Sequence, residues 1–184
     1  MALSHAIMTA LIEDEMSGYE LAKAFDVSLG LFWHASHQQI YQELRKLVDK
    51  GYLEREQVAQ RGRPDKMLHR LTAAGRAALA QWVWEPGRVQ EAKDDLWVKL
   101  YNLGAGNVGH LAAEISRRRQ EMMARLYLYE KIRRRHYDRP AALPLRRKGV
   151  YLALLAGIRH GEQFLAWCDE ALDMLAGVES GVAA

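Results

Sequence analysis

Ser36-His37-Gln38-Gln39-Ile40-Tyr41-Gln42-Glu43-Leu44-Arg45-Lys46-Leu47-Val48-Asp49-Lys50-Gly51 is the stretch on which the fold turns. Ser36 followed three residues later by Gln39 is a capping signal, so a helix opens there. Ile40, Leu44, Leu47 and Val48 recur at helical spacing and form one apolar stripe. Gly51 stands where a helix ends on a left-handed residue. The opposite face of the first turns exposes Ser36, His37, Gln38, Tyr41 and Gln42. These side chains donate and accept hydrogen bonds, as readout of base edges in a major groove requires. Gln39 belongs to the same group, and Ser36 at the helix N-terminus suits a phosphate.

The flanks extend this helix into a compact unit. Upstream, Leu3, Ala6, Ile7, Ala10 and Leu11 predict an amphipathic helix over 2–12. Ser17 with Glu20 is a second capping box, opening a helix with Leu21, Ala22, Ala24 and Phe25 on its apolar side. Gly30 marks a turn within 28–34. Downstream, 52–60 starts as a strand, 61–65 is a turn, and 66–71 reads as a second strand. Thr72 caps a fourth helix, which Pro86-Gly87 ends. Helix, helix, helix, hairpin, helix describes a winged helix-turn-helix with a two-stranded wing. The wing offers Arg61, Arg63 and Lys66 to phosphates or a narrow minor groove. His37 and His69 read as contact or packing residues, since no second ligand pair lies at a matching interval.

Charge agrees with that surface. The chain has 184 residues and a formal net charge of +3. Residues 1–86 hold 10 Lys/Arg and 11 Asp/Glu, yet 36–76 hold 9 and 5, a local net of +4. A single cysteine, Cys168, excludes an internal disulfide and fits a reducing cytoplasm. No apolar run approaches membrane-spanning length, so no membrane partner is expected. No P-loop or Ser/His/Asp arrangement is recognisable, which points away from an enzyme and from a cofactor or metal.

The second half reads as helical. A polar linker over 89–95 leads to a short helix over 96–103 and a long one over 107–137, with Leu111, Ile115, Met122, Leu126 and Tyr129 on its buried side. Arg117–Arg119 and Arg133–Arg135 read as solvated or acid-paired. Pro140 and Pro144 precede a last helix. There, Tyr151, Ile158, Leu165 and Leu172 are spaced by seven, as are Leu154, Gly161, Cys168 and Leu175. With that a/d seam and apolar residues off it, the helix is expected to make one contact within the chain and one with a second chain, giving a homodimer; the alternative is a monomeric helical pair folded back on the wing domain. Phe164, Trp167 and His160 lie off the seam. Trp97, Tyr101, His160 and Trp167 are candidates for an apolar pocket for a small aromatic molecule, set against plain core packing.

Residues 1–86 are thus read as a DNA-binding domain and 87–184 as a helical dimerisation and effector domain. The first half resembles the PadR family of transcriptional regulators. Ser17-Gly18-Tyr19-Glu20-Leu21, Gln39-Ile40-Tyr41, Leu44-Arg45-Lys46-Leu47, Lys50-Gly51-Tyr52-Leu53, Gly62-Arg63-Pro64 and Leu71-Thr72-Ala73-Ala74-Gly75 carry the likeness. Gln42 stands where the family often has proline, and Met67-Leu68-His69 where it often has an aromatic residue. The second half resembles the helical region of the branch related to virulence-gene activators, through Asp95–Leu100 and Gly157-Ile158 to Leu172. The resemblance implies a homodimer, often a repressor, sometimes responding to small aromatic or drug-like molecules, and a two-fold dimer predicts a palindromic operator. The competing function is a winged-helix module that binds protein and not DNA.

Overall fold

The structure is a computed structural model, and it describes residues 2–27, 35–59, 65–87 and 94–179. The chain divides into two compact units, residues 1–89 and 90–184.

In the first unit the order is α1 (Ala2–Ala10), β1 (Met16–Ser17), α2 (Gly18–Val27), α3 (His37–Asp49), β2 (Leu53–Val58), β3 (Lys66–Leu71) and α4 (Ala73–Val83). The sheet is antiparallel, in the order β1-β3-β2. Glu56 faces Leu68 and Leu53 faces Leu71 across the hairpin. The wing therefore gains a third strand beyond the two that the sequence predicts. β1 has two residues, and its pairing of Met16 with His69 joins segments 53 positions apart, so no local pattern announces it.

Ile7, Met8, Leu11, Leu21, Phe25, Ile40, Leu44, Leu47, Leu53 and Leu71 share one core. Burial on this scale, about 2 kcal/mol for each large aliphatic side chain, holds α3 against α1 and α2. Local chemistry sets the boundaries. Thr72 accepts the Gly75 N–H through its hydroxyl at 3.0 Å, and that hydroxyl donates to the Gly51 carbonyl at 2.8 Å. One side chain thereby caps α4 and ties it to the end of α3. Gly75 must lack a Cβ, which would press on the Tyr52 carbonyl and stand 2.7 Å from Leu71 Cδ1.

The second unit contains α5 (Asp95–Leu100), α6 (Val108–His136), a 3-10 turn (Pro140–Ala142) and α7 (Leu145–Glu179). Asp94 accepts the Leu96 N–H at 2.9 Å and caps α5, which is shorter than expected because Asn102 and Leu103 donate to the carbonyls three residues back, Lys99 and Leu100, and tighten the chain into a turn. α6 and α7 run antiparallel: Arg119 meets Asp169, Gly161 meets Leu126, and Tyr137 meets Tyr151. Leu96, Val108, Leu111, Ile115, Cys168 and Leu175 form its core.

The heptad seam of α7 is correspondingly used within the chain. Leu154, Ile158, Gly161, Cys168 and Leu175 are buried in a single copy, and Tyr151, Leu165 and Leu172 are half-buried. A Cβ on Gly161 would stand 2.8 Å from Leu126 Cδ2 and 3.0 Å from the Met122 sulfur, both on α6. A repeat on one helix records that a partner helix exists. It does not record which chain supplies it.

Candidate nucleic-acid interface

The site begins with how α3 is fixed. Ser36 is its N-cap, at φ −70° and ψ 155°. The Gln39 N–H donates to Ser36 Oγ at 3.2 Å, and the Ser36 N–H donates to Gln39 Oε1 at 2.8 Å. Both expected capping partners are therefore in place. Because Gln39 Oε1 accepts the Ser36 N–H, the cap fixes the orientation of this side chain. At the other end Gly51 takes φ 71°, and Tyr52 N–H donates back to the Leu47 carbonyl at 2.9 Å. Ser4 Oγ donates to Glu43 at 2.6 Å, anchoring α3 to α1. That hydrogen bond, helped by Lys46 at 3.3 Å, holds the Glu43 carboxyl below its ordinary range.

With Ile40, Leu44 and Leu47 turned inward, His37, Gln38, Gln39, Tyr41 and Gln42 are all exposed. Ser36 is exposed in the same turn. Tyr41 is the largest of them, and its ring rests against Gly18 at the start of α2. A Cβ at Gly18 would press on Tyr41 Cε1 and lie 3.0 Å from Cδ1 and Cζ. The sequence gives no sign of this approach. Gly18 follows a capping serine, so its small size there reads as turn chemistry.

On the wing, Lys66 Nζ is 2.7 Å from Glu20 Oε1, linking β3 to α2. Lys66, expected to meet phosphate, is thus already ion-paired. Its hydrogen bond is the main cause of the lowered Glu20 pKa, followed by the Ser17 N–H. Arg70 pairs with Glu54 at 2.8 Å and Glu15 at 3.2 Å. Arg61 and Arg63 lie outside the described residues. His69 is buried, and its Nδ1 lacks a hydrogen-bond partner among the described residues. Burial lowers its pKa, as does the charge of Arg55, against a raising hydrogen bond with the Met16 backbone. A neutral His69 therefore belongs to the folded wing at neutral pH. No group of three or more His, Cys, Asp or Glu among the described residues is placed to hold a metal.

In the second unit three of the four aromatic candidates come together. Trp97, Leu100, Tyr101 and Trp167 line an open hollow of about 390 Å³. The Trp97 and Trp167 rings meet edge-on, 4.7 Å between centroids at 82°. Phe164 lies 5.6 Å from Trp167. His160 is exposed and does not line this hollow, being two turns away along α7. An apolar, aromatic-walled concavity of this kind suits a flat apolar molecule.

Residues 7–81 match the transcriptional regulator PadR-like family, and residues 92–176 match the virulence activator alpha C-term family. The chain is 40% identical to the probable transcriptional regulator Rv1176c of Mycobacterium tuberculosis, over 95% of this chain and 98% of the relative. It is 29% identical to the negative transcriptional regulator PadR of Bacillus subtilis, over 94% of this chain and 97% of the relative. The structure of that PadR in complex with operator DNA superposes with a TM-score of 0.77, covering 95% of this chain and 99% of the other at 26% identity. PadR has also been solved in complex with p-coumaric acid. The Vibrio cholerae virulence activator AphA is similar too, with a TM-score of 0.75 at 27% identity over 95% and 98% of the two chains.

Proposed function

The chain belongs to the PadR-like family of transcriptional regulators, and from that premise we propose that it acts as a homodimeric, sequence-specific DNA-binding repressor. The observation that carries this reading is α3. A capping box and a buried stripe fix the helix, and His37, Gln38, Tyr41 and Gln42 stand exposed on its free side. Gln38 and Gln42 can pair bidentately with adenine, and Tyr41 and His37 offer further contacts at base edges. Ser36 and the wing arginines Arg61 and Arg63 hold the phosphate backbone and set register.

Dimerisation is supported by what the single chain leaves uncovered. Met123, Tyr127 and Leu128 on α6, and Val150, Leu152 and Met174 on α7, are exposed apolar side chains on the helical pair. A second copy would cover part of this surface. A two-fold axis then places two copies of α3 on half-sites about one helical turn apart. The half-buried Tyr151, Leu165 and Leu172 border that contact. The five buried seam residues support it from within.

A small aromatic effector is the remaining part of the reading, supported by the hollow of Trp97, Tyr101 and Trp167. Its binding would favour a form with lower operator affinity. Among the described residues no helix is long and apolar enough to cross a membrane, and action in the cytoplasm fits a DNA-bound regulator.

The test is fluorescence anisotropy with duplex DNA from upstream of the protein's own gene. Binding should weaken steeply as salt rises from about 50 to 200 mM. Gln38→Ala and Gln42→Ala should change which sequence is preferred, and Arg63→Ala should weaken all sequences alike. Absence of salt-sensitive binding by the wild type would end the proposal. Tryptophan emission titrated with p-coumaric acid tests the effector. No change in emission or in operator affinity removes this acid from consideration.

A further inference from the structure

The closed end of the α6–α7 hairpin carries a strong concentration of positive charge. Residues 130–148 hold eight Lys/Arg against two Asp/Glu, a net +6, in a chain whose total is +3. The remaining 165 residues together are therefore net −3. Six of the eight cations are arginines. Arg134, Arg135, Arg139, Arg146, Arg147 and Lys148 are exposed. Glu130 pairs with Arg133 at 2.9 Å and reaches Arg134 only at 4.0 Å.

Part of the pattern has an ordinary structural reason. Arg133 to His136 close α6, where cations complement the helix dipole. The first turn of α7 does not fit that explanation. It holds Arg146, Arg147 and Lys148 and no acid, at the end where a helix favours negative charge. Arg147 donates to the His136 carbonyl at 3.5 Å, so one of these cations also closes the C-terminus of α6. The turn itself is braced for such a load. Arg147 lies 5.3 Å from the centre of the Tyr137 ring, and Tyr137 lies 5.4 Å from Tyr151. The Ala142 N–H donates to the Arg139 carbonyl in the 3-10 turn. The cations are thus displayed on a firm platform, and they do not serve the core of the unit. Tyr129 on α6 and Leu154 on α7 are the last buried side chains toward this end among the described residues.

We propose that this hairpin end is a second, sequence-independent DNA-contacting surface, binding the phosphates of duplex DNA. It rests on the reading of the chain as a DNA-binding regulator and adds a contact outside the winged helix. Duplex DNA presents one negative charge about every 1.7 Å along its axis, so a compact cluster of cations meets several phosphates at once. Arginine matches phosphate oxygens in a planar, bidentate fork. The charge pattern favours a polyanion over a protein partner, because eight cations crowd a short turn in which only two acids stand. The surface would raise affinity for any DNA and leave the choice of sequence to α3.

The experiment uses the full-length protein with Arg134→Gln, Arg135→Gln, Arg139→Gln and Lys148→Gln combined. Anisotropy with a random-sequence duplex is measured across a salt series. The slope of log affinity against log salt should become shallower, by about 0.9 for each phosphate that the variant no longer neutralises. Non-operator affinity should fall at least about tenfold, with the ranking among operator variants unchanged. A companion variant with Arg134→Lys, Arg135→Lys and Arg139→Lys keeps the charge and should keep the wild-type slope. An unchanged slope in the glutamine variant overturns the proposal. So does an equal loss in the lysine variant, which would trace the effect to the shape of the turn. A shift in sedimentation velocity with an unchanged slope would assign the face to a second copy of the chain instead. If wild-type protein bound no DNA, the functional reading itself would fail. If the wild type binds and the glutamine variant binds just as it does, this inference alone fails.

Discussion

Gly18→Ala isolates how α2 supports the reading helix without substituting any residue proposed to contact DNA. The new Cβ would press on Tyr41 Cε1, with Cδ1 and Cζ at 3.0 Å. Ordinary carbon contacts are about 3.5–4.0 Å, so the ring must retreat by about 1 Å or more. Forced overpacking costs about 1–3 kcal/mol, and replacing a helical glycine by alanine returns about 0.5–1 kcal/mol. Tyr41 is 42% exposed and can swing outward, which keeps the overpacking at the low end. Global stability should therefore change by less than about 1 kcal/mol. Operator affinity should change more, because a displaced Tyr41 no longer reaches a base edge, an interaction worth about 1–3 kcal/mol, roughly 5- to 150-fold. The assay is a double-mutant cycle of Gly18→Ala and Tyr41→Ala, read by operator anisotropy and by urea unfolding. Gly18→Ala should weaken binding in the wild-type background and do little once Tyr41 is truncated. An equal loss in both backgrounds would refute the argument, since the effect would then not pass through the tyrosine ring.

Three further outcomes follow from the same structure. Ser36→Ala removes the α3 cap and should cost about 1 kcal/mol, seen as a lower urea midpoint with an unchanged slope. Gly161→Leu forces α6 and α7 apart at Leu126 and Met122, and should lower the stability of the helical unit by about 2–3 kcal/mol in thermal melts followed by circular dichroism. Acid should loosen that unit through Asp94 and Glu114. The Arg118 hydrogen bond lowers the pKa of Asp94, and Lys99, then Arg118, lowers that of Glu114. Both carboxyls are depressed in the folded state, so their contribution is present above their ordinary values and is lost as pH falls through the lower, folded ones. The melting temperature should hold steady near neutrality and drop below about pH 4.5, and Arg118→Met should flatten that drop.

Local signals made much of this legible. The Ser36–Gln39 box, the Gly51 stop, the Lys66–Leu71 strand and the Thr72 cap each involve neighbours within a few residues, and each stands in the structure as expected. What the sequence conceals is non-local. β1 exists because Met16 reaches His69. Lys66 is paired because Glu20, 46 residues away, folds beside it. The α7 seam is legible as a seam, but not that Gly161 on it meets Leu126 of α6, 35 residues away. His160 shares a helix with Trp167 and not a hollow, because seven residues along a helix preserve the face and add about 10 Å of height. The resemblance to PadR regulators rests on short stretches spread over the first unit, and the family matches cover those stretches and the helical unit as well.

In vitro selection of bound duplexes from a random pool tests the central claim most directly. The expected result is enrichment of an inverted repeat whose half-site centres lie about one helical turn apart. Repeating the selection with Gln42→Ala should alter the half-site and leave the spacing intact. A pool that stays random after several rounds, with the protein folded and the salt low, would contradict it.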